Sequence, residues 1–258
     1  MIGLERRFGT LVAVDHVSLT VASGSVFGLL GPNGAGKSTI IKMLTTLLPP
    51  TSGSARVAGF DVRRQTYEVR RRIGYVPQMP SADGDLTGRE NLLIFAELYG
   101  IKGAARRSAI DEALELMDLG DAADTLVKHY SGGMVRRLEV AESMLHRPPV
   151  LFLDEPTIGL DPAARRAVWK HLDLIRKRFK MTMFATTHYT EEADEYCDSV
   201  AFMHEGSIAE IGPPAQLRAA AGEGATLDDV FMQLVGTSIE RGEFADVRRA
   251  RRAARSYN

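Results

Sequence analysis

This sequence contains one cysteine and no long hydrophobic run. Cys197 has no second cysteine with which to form a disulfide in the chain, so we expect a reducing environment. The amino terminus, MIGLERRFG, is charged and lacks the apolar core of a secretion signal. Apolar stretches such as 150–153 are far shorter than the roughly 20 residues of a membrane-spanning helix. The sequence therefore predicts a chain that does not itself cross a bilayer.

The chain also lacks an excess of either charge. Its 258 residues include 32 Lys and Arg against 33 Asp and Glu, for a net charge of -1, and 45% of the residues are hydrophobic. This composition is typical of a globular protein. A near-neutral balance argues against binding to nucleic acid through bulk positive charge. No internal repeat is visible, which argues against repeat architectures.

Strand signals lie at the beginning of the chain. Alternating apolar residues predict short antiparallel strands that form an edge layer: Val12, Val14, Val17, Leu19 and Val21. A buried strand is predicted at 26–30, followed by a Gly-rich turn and by a helix that ends at Pro49 and Pro50.

Helical signals follow over residues of about 85–147. Thr87 and Glu90 form a capping box, a second helix is expected to end at Gly120, and Ser131 is expected to cap a third helix that runs to Pro148. Strand signals return at 150–153 and 181–186, and Asp161 is expected to cap the helix between them. The pattern predicts an α/β fold with a mainly parallel sheet that is covered on both faces and interrupted by a helical insertion.

The motif that carries most chemical information is GPNGAGKST, residues 31–39. It has the form G-x-x-x-x-G-K-[ST] and lies between a predicted strand and a predicted helix, which is the context of a phosphate-binding loop. Glycines let successive backbone N–H groups face phosphate oxygens at the start of a helix, Lys37 adds positive charge, and the Ser38 hydroxyl can coordinate Mg²⁺.

Two carboxylates follow the apolar strand at 150–153. Parallel strands collect ligand sites at their carboxyl ends, so Asp154 and Glu155 are expected near the phosphate loop. Asp154 can hold Mg²⁺, and Glu155 can act as a general base or orient an attacking water molecule.

A third motif, Tyr130-Ser131-Gly132-Gly133-Met134, resembles the signature loop of ATP-binding cassette ATPases. Further landmarks of that family occur in order: Gln78 in YVPQ, Gly159-Leu160-Asp161 after the acidic strand, and His188 after the last core strand. The similarity covers roughly residues 2–212. Met134 stands where many members carry Gln. The resemblance implies a P-loop NTPase core with an antiparallel amino-terminal β layer and a helical signature subdomain.

The resemblance also implies roles for individual residues. The residues implied to bind the phosphates and the nucleotide are Asn33, Gly34, Ala35, Gly36, Lys37, Ser38 and Thr39. Phe8 is implied to stack on the adenine. Ser38, Gln78 and Asp154 hold Mg²⁺. Glu155 activates water, while Lys37, Gln78 and His188 contact or sense the γ-phosphate. Ser131, Gly132, Gly133 and Asp161 contribute to nucleotide binding. The signature residues complete the ATP site of a second subunit, so hydrolysis is expected to require a head-to-tail dimer.

The resemblance implies partners and a location. We expect a homodimer of nucleotide-binding subunits, attached to separate integral membrane permease subunits at the cytoplasmic face of the cell membrane, with no nucleic acid partner. The tail segment ATLDDVF, residues 225–231, resembles the carboxyl-terminal module of subunits that serve ABC-2-type exporters, including daunorubicin-resistance pumps. We therefore divide the chain into an ATPase domain, 1–212, and a small module with an Arg-rich tail, 213–258.

Other functions remain open at this stage. An importer ATPase shares the same motifs. A non-transport cassette ATPase acting on ribosomes or DNA, or a phosphate-loop kinase, would explain Lys37, although a kinase leaves the signature loop without a role. The transported substrate is not encoded in these motifs.

Overall fold

Strands and helices alternate along residues 1–234, which are the part of the chain that the computed structural model describes. The strands are β1 (Ile2–Phe8), β2 (Leu11–Val17), β3 (Val26–Leu30), β4 (Ser52–Ser54), β5 (Arg56–Val57), β6 (Phe60–Asp61), β7 (Ile73–Val76), β8 (Val150–Asp154), β9 (Thr182–Thr187), β10 (Ser199–His204) and β11 (Ser207–Gly212). The helices are α1 (Lys37–Leu44), α2 (Thr66–Arg70), α3 (Gly88–Leu98), α4 (Gly103–Leu116), α5 (Gly132–Met144), α6 (Pro162–Phe179), α7 (Thr190–Tyr196) and α8 (Pro214–Ala221).

The central sheet is mainly parallel, as expected. Its order is β11-β10-β3-β9-β8-β7, and only β11 runs antiparallel to its neighbour. Successive residues of β8 enter different cores: Leu151 and Leu153 pack with the helices α3 to α6, whereas Phe152 packs with α1 and the amino-terminal strands. Because both faces are covered, the strands are continuous apolar runs rather than alternating ones.

The expected antiparallel layer is present as a sheet of order β2-β1-β4. The prediction of a further strand through Leu19 and Val21 was wrong, because the chain leaves β2 after Val17 and runs on without sheet pairing to β3. The sequence patterns also did not predict β4 to β7, β10 and β11, nor helices α2, α7 and α8.

Helix starts agree with the sequence better than helix ends do. The capping box at Thr87 and the caps Ser131 and Asp161 are present. The first helix ends at Leu44, short of the prolines, where Thr46 adopts a positive φ. The second and third helices of the 85–147 stretch also end early, at Leu116 and Met144. Residues in the left-handed region end these helices, and such turns do not require Gly or Pro.

The tail folds onto the same core as the sheet. Residues 227–234 are helical, Leu227 and Val230 are buried, and the ring of Phe231 stacks on Phe202 at 5.9 Å between centroids. The Arg-rich end of the chain lies outside the described residues. Within residues 1–234, no helix combines the length and apolar character that a membrane crossing needs.

Candidate active site

The Gly-rich loop joins β3 to α1 at the carboxyl end of the sheet. Gly34 and Gly36 have φ values of +83° and +106°, in the left-handed region that favours glycine. A Cβ on Gly36 would lie 2.4 Å from the carbonyl oxygen of Ala13, so this position also has no room for a side chain. The loop is therefore held in a curled conformation that ends at the start of α1.

Lys37 is the first residue of α1, and its side chain turns back into the loop. Only 4% of the residue is exposed, and Nζ donates hydrogen bonds to the carbonyl oxygens of Gly31 (2.7 Å) and Pro32 (3.1 Å). A buried ammonium group needs such partners, because desolvation without them is costly. The loop thus presents a fixed positive charge where phosphates bind in proteins of this loop type.

Glu155 follows β8 with an unusual backbone. Its φ is +49°, which is uncommon for a residue with a side chain and costs on the order of 1 kcal/mol or more. The conformation is held by the backbone N–H of Glu155, which donates to the carbonyl oxygen (3.2 Å) and to Oγ1 (2.9 Å) of Thr186 on the neighbouring strand β9. The carboxylate is consequently fixed and 95% shielded from water.

Three sequence-predicted residues from separate segments surround this carboxylate. Lys37 Nζ lies 3.3 Å from Glu155 Oε1, and both Gln78 Nε2 and His188 Nδ1 lie 3.4 Å from Oε2. Gln78 follows β7 and His188 follows β9, so adjacent parallel strands deliver them to one edge of the sheet. A cation, an amide and an imidazole around one buried carboxylate form an arrangement suited to acid–base chemistry.

Two of the three expected metal ligands, Ser38 and Asp154, meet beside this group, whereas Gln78 contacts Glu155. Asp154 Oδ1 accepts hydrogen bonds from Ser38 Oγ (3.0 Å) and from Thr186 Oγ1 (2.7 Å), and Asp154 is almost fully buried. A carboxylate and a hydroxyl oxygen are the donor types that Mg²⁺ prefers, so the residues present fit this ion. Burial and the Asp154 carboxylate raise the pKa of Tyr75 to about 12, which keeps the neighbouring phenol neutral.

In the signature loop, Ser131 and Gly132 are exposed and Gly133 is half-buried. The loop is separate from the Lys37–Glu155 group, which we define as Lys37, Gln78, Glu155 and His188. Ser131 caps α5 by accepting a hydrogen bond from the Met134 N–H at 3.3 Å. Gly132 and Gly133 pack against the region where α6 begins, near Leu160 and Ala164. Among the described residues, no hydrogen bond or ion pair joins the three signature residues to the Lys37–Glu155 group.

Two further predicted residues, Asp161 and Phe8, do not contact Glu155. Asp161 caps α6, and its pKa is lowered by the backbone N–H groups of Ala164 and Ala163 that donate to it. Phe8 lies in the β1–β2 hairpin, is 45% exposed, and has the guanidinium of Arg6 4.6 Å from its ring centroid. No contact among the described residues brings either one to Glu155, and their roles in nucleotide binding stay predictions.

A comparison with protein-family models decides the family. Residues 14–158 match the model described as ABC transporter, which is more than half of the chain and includes the phosphate loop, Gln78, the signature and Glu155. The chain belongs to the ABC transporter family. Binding of ATP, and its hydrolysis coupled to transport, are the activity of this chain as an ATP-binding subunit of that family.

Curated relatives place this ABC subunit among ATP-binding proteins. It is 44% identical over 222 residues to the daunorubicin resistance ATP-binding protein DrrA3 of Streptomyces coeruleorubidus, covering 85% of this chain and 69% of that protein. The Nod factor export ATP-binding protein I of Burkholderia lata is 43% identical over 85% of this chain and 72% of its own length. The probable multidrug ABC transporter ATP-binding protein YbhF of Escherichia coli (strain K12) is 39% identical over 90% of this chain, which spans only 40% of that protein.

Solved structures agree with the family. The structure described as an ATP binding subunit of an ABC transporter superimposes with a TM-score of 0.80 at 28% identity, over 91% of this chain and 98% of that one. The cbiO1 protein of Clostridium perfringens, described as part of the ABC transporter complex cbiONQ, gives a TM-score of 0.79 at 27% identity over 84% and 89%.

The structure of this ABC subunit also reveals polar residues that the sequence analysis missed. Thr186 contacts both Asp154 and Glu155, as described above. Glu192 is buried on α7 and accepts hydrogen bonds from Thr157 Oγ1 (2.7 Å) and Thr187 Oγ1 (3.2 Å), which joins the segment after Glu155 to the segment before His188. The paired threonines before His188 were the available signal, but the partners of Thr186 lie more than 30 residues away in sequence.

Proposed function

We propose that this chain is the ATP-hydrolysing subunit of an exporter, working as a head-to-tail dimer that drives separate membrane subunits. The observation that carries the proposal is the convergence of Lys37, Gln78 and His188 on the buried carboxylate of Glu155. The same edge of the sheet also carries the Gly-rich loop, so phosphate-binding groups and an acid–base group share one site.

The loop binds the phosphates of ATP. Backbone N–H groups of Asn33, Gly34, Ala35 and Gly36 and the side chains of Lys37, Ser38 and Thr39 face them, with Phe8 under the adenine. Lys37 exchanges part of its contact with Glu155 for phosphate oxygens, which are the stronger anionic partners. This exchange frees the Glu155 carboxylate to contact a water molecule.

Glu155 then acts as the general base. It accepts a proton from water as the water oxygen bonds to the γ-phosphorus, and the bond to the β-phosphate oxygen breaks to leave ADP. Gln78 orients the water and His188 donates a hydrogen bond to the γ-phosphate. Catalysis of phosphoryl transfer depends chiefly on such positioning and on charge stabilisation.

Ser38 and Asp154 would hold Mg²⁺, and Gln78 is the third proposed ligand. When bound there, the ion neutralises negative charge on the phosphate oxygens. The hydrogen bond from Thr186 Oγ1 fixes the orientation of the Asp154 carboxylate, as outer hydrogen bonds do for metal ligands in general.

The dimer follows from the exposed signature loop. Ser131, Gly132 and Gly133 do not contact the Lys37–Glu155 group of their own chain, yet Ser131 begins a helix whose amino-terminal end favours anions. In a head-to-tail pair these residues, with the neighbouring Asp161, reach the ATP bound by the second subunit.

Exposed apolar side chains support a membrane partner. Met79 follows Gln78 directly and is 76% exposed, and Ile94 and Leu98 form an exposed pair one turn apart on α3. The two segments are joined by Asn91, which exchanges hydrogen bonds with the backbone of Asp83. We assign this apolar surface to contact with the permease at the cytoplasmic face of the membrane, where movement of Gln78 is transmitted.

Export is favoured over import by the relatives. One is named for daunorubicin resistance and another for Nod factor export, and both match this chain over 85% of its length. The tail at 225–231 supports the same assignment, with residues 1–212 forming the ATPase domain and 213–258 a small assembly module. The corresponding substrates are drugs or antibiotics.

The test uses the purified full-length chain and its Glu155→Gln variant. We expect ATP turnover that rises with protein concentration, a loss of turnover of about 100-fold or more in the variant, and an ATP-dependent dimer of that variant on size-exclusion chromatography. Asp61→Asn is the matched control, because it also converts a carboxylate to an amide but lies on β6, away from the loop. Wild-type turnover that stays absent at high protein concentration and with co-purified membrane subunits would overturn the proposal.

A further inference from the structure

A buried arginine connects the helix of the signature loop to the backbone of Gln78. Arg136 lies on α5 and is 4% exposed. Its Nη1 donates to the carbonyl oxygen of Pro77 at 2.7 Å, and its Nη2 donates to the carbonyl oxygen of Gln78 at 3.0 Å. A planar guanidinium that binds two successive carbonyls fixes the direction of the backbone between them.

Glu139, one turn later on the same helix, completes the connection. Its Oε2 lies 3.0 Å from Arg136 Nη1, and its Oε1 accepts a hydrogen bond from the Ser81 N–H. Burial raises the pKa of Glu139, whereas Ser81 and Arg136 act in the opposite direction by stabilising the carboxylate. The segment 77–81 is thereby attached to α5 at both of its ends.

Backbone packing makes this attachment stiff. A Cβ on Gly74 of β7 would lie 2.3 Å from the carbonyl oxygen of Ser143 on α5, so strand and helix backbones touch directly. Val76 and Leu138 are fully buried in the same core. Close-packed interiors transmit displacement instead of absorbing it.

We propose that Arg136, held by Glu139, is a positioning residue that couples the two ATP sites of the dimer. This inference rests on the head-to-tail dimer proposed above. Gln78 responds to the ATP of its own chain, while Ser131 to Gly133 serve the ATP of the partner. Arg136 lies five residues after Ser131, about 7.5 Å along α5, so one rigid helix connects the two functions. ATP in one site thereby sets the position of the signature loop in the other.

A purely local role makes a different prediction. If Arg136 only supports Gln78, its loss impairs hydrolysis in its own chain and nowhere else. If it couples the sites, its loss also impairs hydrolysis in the other chain, through the signature loop that it no longer positions. Dimers with one active site distinguish the two.

The experiment uses mixed dimers of two differently tagged copies, purified through both tags. One copy carries Glu155→Gln, so only the other hydrolyses ATP. Arg136→Lys is then placed in the inactive copy, where it retains the charge but loses the two-carbonyl contact. We expect turnover in the active copy to fall at least fivefold, and the Hill coefficient for ATP to fall towards one in the Arg136→Lys homodimer.

Arg137→Lys in the inactive copy is the matched control. Arg137 is the next residue on α5, but its guanidinium binds the carbonyl oxygens of Met117 and Asp118 at the end of α4. We expect turnover within twofold of the parent mixed dimer. Should Arg136→Lys lower the melting temperature well beyond Arg137→Lys, Glu139→Gln in the inactive copy provides the second measurement, with the same direction expected.

The outcomes separate the two proposals. Turnover in the active copy that stays within twofold for Arg136→Lys and Glu139→Gln overturns the coupling role while leaving the dimeric ATPase intact. A parent mixed dimer that does not form overturns the dimer on which the coupling depends.

Discussion

The carboxyl and amino ends of the parallel strands form two opposite edges of the central sheet. These two edges differ in the charged side chains that meet there. At the edge where β3, β8 and β9 end, Lys37 and His188 lie within ion-pair distance of Glu155, and Asp154 beside them accepts a hydrogen bond from Ser38. At the opposite edge, where β8 and β9 begin, a cavity of about 620 Å³ lies between the sheet and the amino-terminal layer. Apolar side chains such as Leu44, Val57, Phe152 and Phe184 supply much of its lining, with Arg56 and Asp61 among its few charged groups.

This difference shows what locates an active site in this fold. A cavity of that volume is large enough for a drug-sized molecule, yet no set of acid, base and cation converges on it. The carboxyl-end edge holds preorganised charges, which contribute most to catalysis of phosphoryl transfer. Substitutions at the two edges should therefore separate loss of activity from loss of stability.

The largest effect is expected from Lys37→Ala. The substitution removes the loop's ammonium group. The buried Glu155 carboxylate then has no cation beside it and repels phosphate. ATP affinity should fall about 100-fold or more, as measured by calorimetric titration. Arg56→Gln, which removes a cation from the opposite edge, should leave the Kd for ATP within twofold. Equal losses for both variants would contradict the contrast between the edges.

His188→Ala should mainly affect turnover. Removing a hydrogen-bonding group that acts on the transferring phosphate lowers kcat by about 100-fold, with the Kd for ATP changed less than threefold. His171→Ala is the matched control, because its imidazole bonds to the Leu116 carbonyl on the outer helices, at 2.9 Å. The control should lose about 1 kcal/mol of unfolding free energy and keep its kcat. A His188 variant with normal kcat would remove this residue from the mechanism.

Contiguous motifs explain which site residues the sequence could predict. The Gly-rich loop, Asp154-Glu155 and the cap at Asp161 each depend on neighbours in the chain, and the structure places them as expected along the sheet. Thr186 bonds to Asp154 and Glu155, and Glu192 bonds to Thr157. These partners lie 31 to 35 positions away, so no local pattern reveals the contacts. The position of Gln78 beside Glu155 likewise depends on the pairing of β7 with β8.

The same reasoning applies to the fold. The strands β8 and β9 were predictable because apolar runs buried on both faces are distinctive. In contrast, β11 is a largely exposed edge strand and β7 has only four residues including Gly74, so neither has a clear apolar pattern. Helix ends at Leu44 and Met144 were missed because they depend on left-handed residues such as Thr46 and Arg147, which carry no sequence signature.

Identical substitutions at the two ends of β9 are expected to have different effects. Thr186→Val at the carboxyl end removes the donor to Asp154 and one acceptor for the Glu155 N–H, so we expect a tenfold loss of kcat together with about 1–3 kcal/mol of unfolding free energy. Thr182→Val at the amino end removes only the acceptor for the Gly24 N–H, at 2.9 Å. It should cost about 1 kcal/mol and leave kcat unchanged. Denaturant titration and steady-state assays measure both quantities, and equal kcat values for the two variants would contradict the assignment.

The smallest effect on turnover is expected at Glu142, a buried carboxylate in the last turn of α5. Within residues 1–234 no ion pair joins it to a cation, unlike Glu155, and its Oε1 is without a hydrogen-bond partner. It faces Tyr99 and Glu139, and His146 stacks on Tyr99 and contacts the Ile73 carbonyl. Burial, followed by repulsion from Glu139, raises the pKa of Glu142 to about 8.

This raised pKa determines how stability should depend on pH. Between about pH 4.5 and 8, the folded chain keeps a proton on Glu142 that the unfolded chain has released, so the contribution of this group to the unfolding free energy falls as pH rises and levels off above 8. Glu142→Gln mimics the protonated form and should gain a few kcal/mol over wild type at pH 9, little at pH 4.5, and change kcat less than twofold. Denaturant titrations of both proteins from pH 4.5 to 9 measure the difference, and Glu115→Gln, at an exposed glutamate of α4, should show no such slope. The opposite result is a stability gain of Glu142→Gln over wild type that is the same at every pH from 4.5 to 9. That result would mean that polar partners stabilise the Glu142 carboxylate as they do that of Glu155, which contradicts the contrast between these two carboxylates.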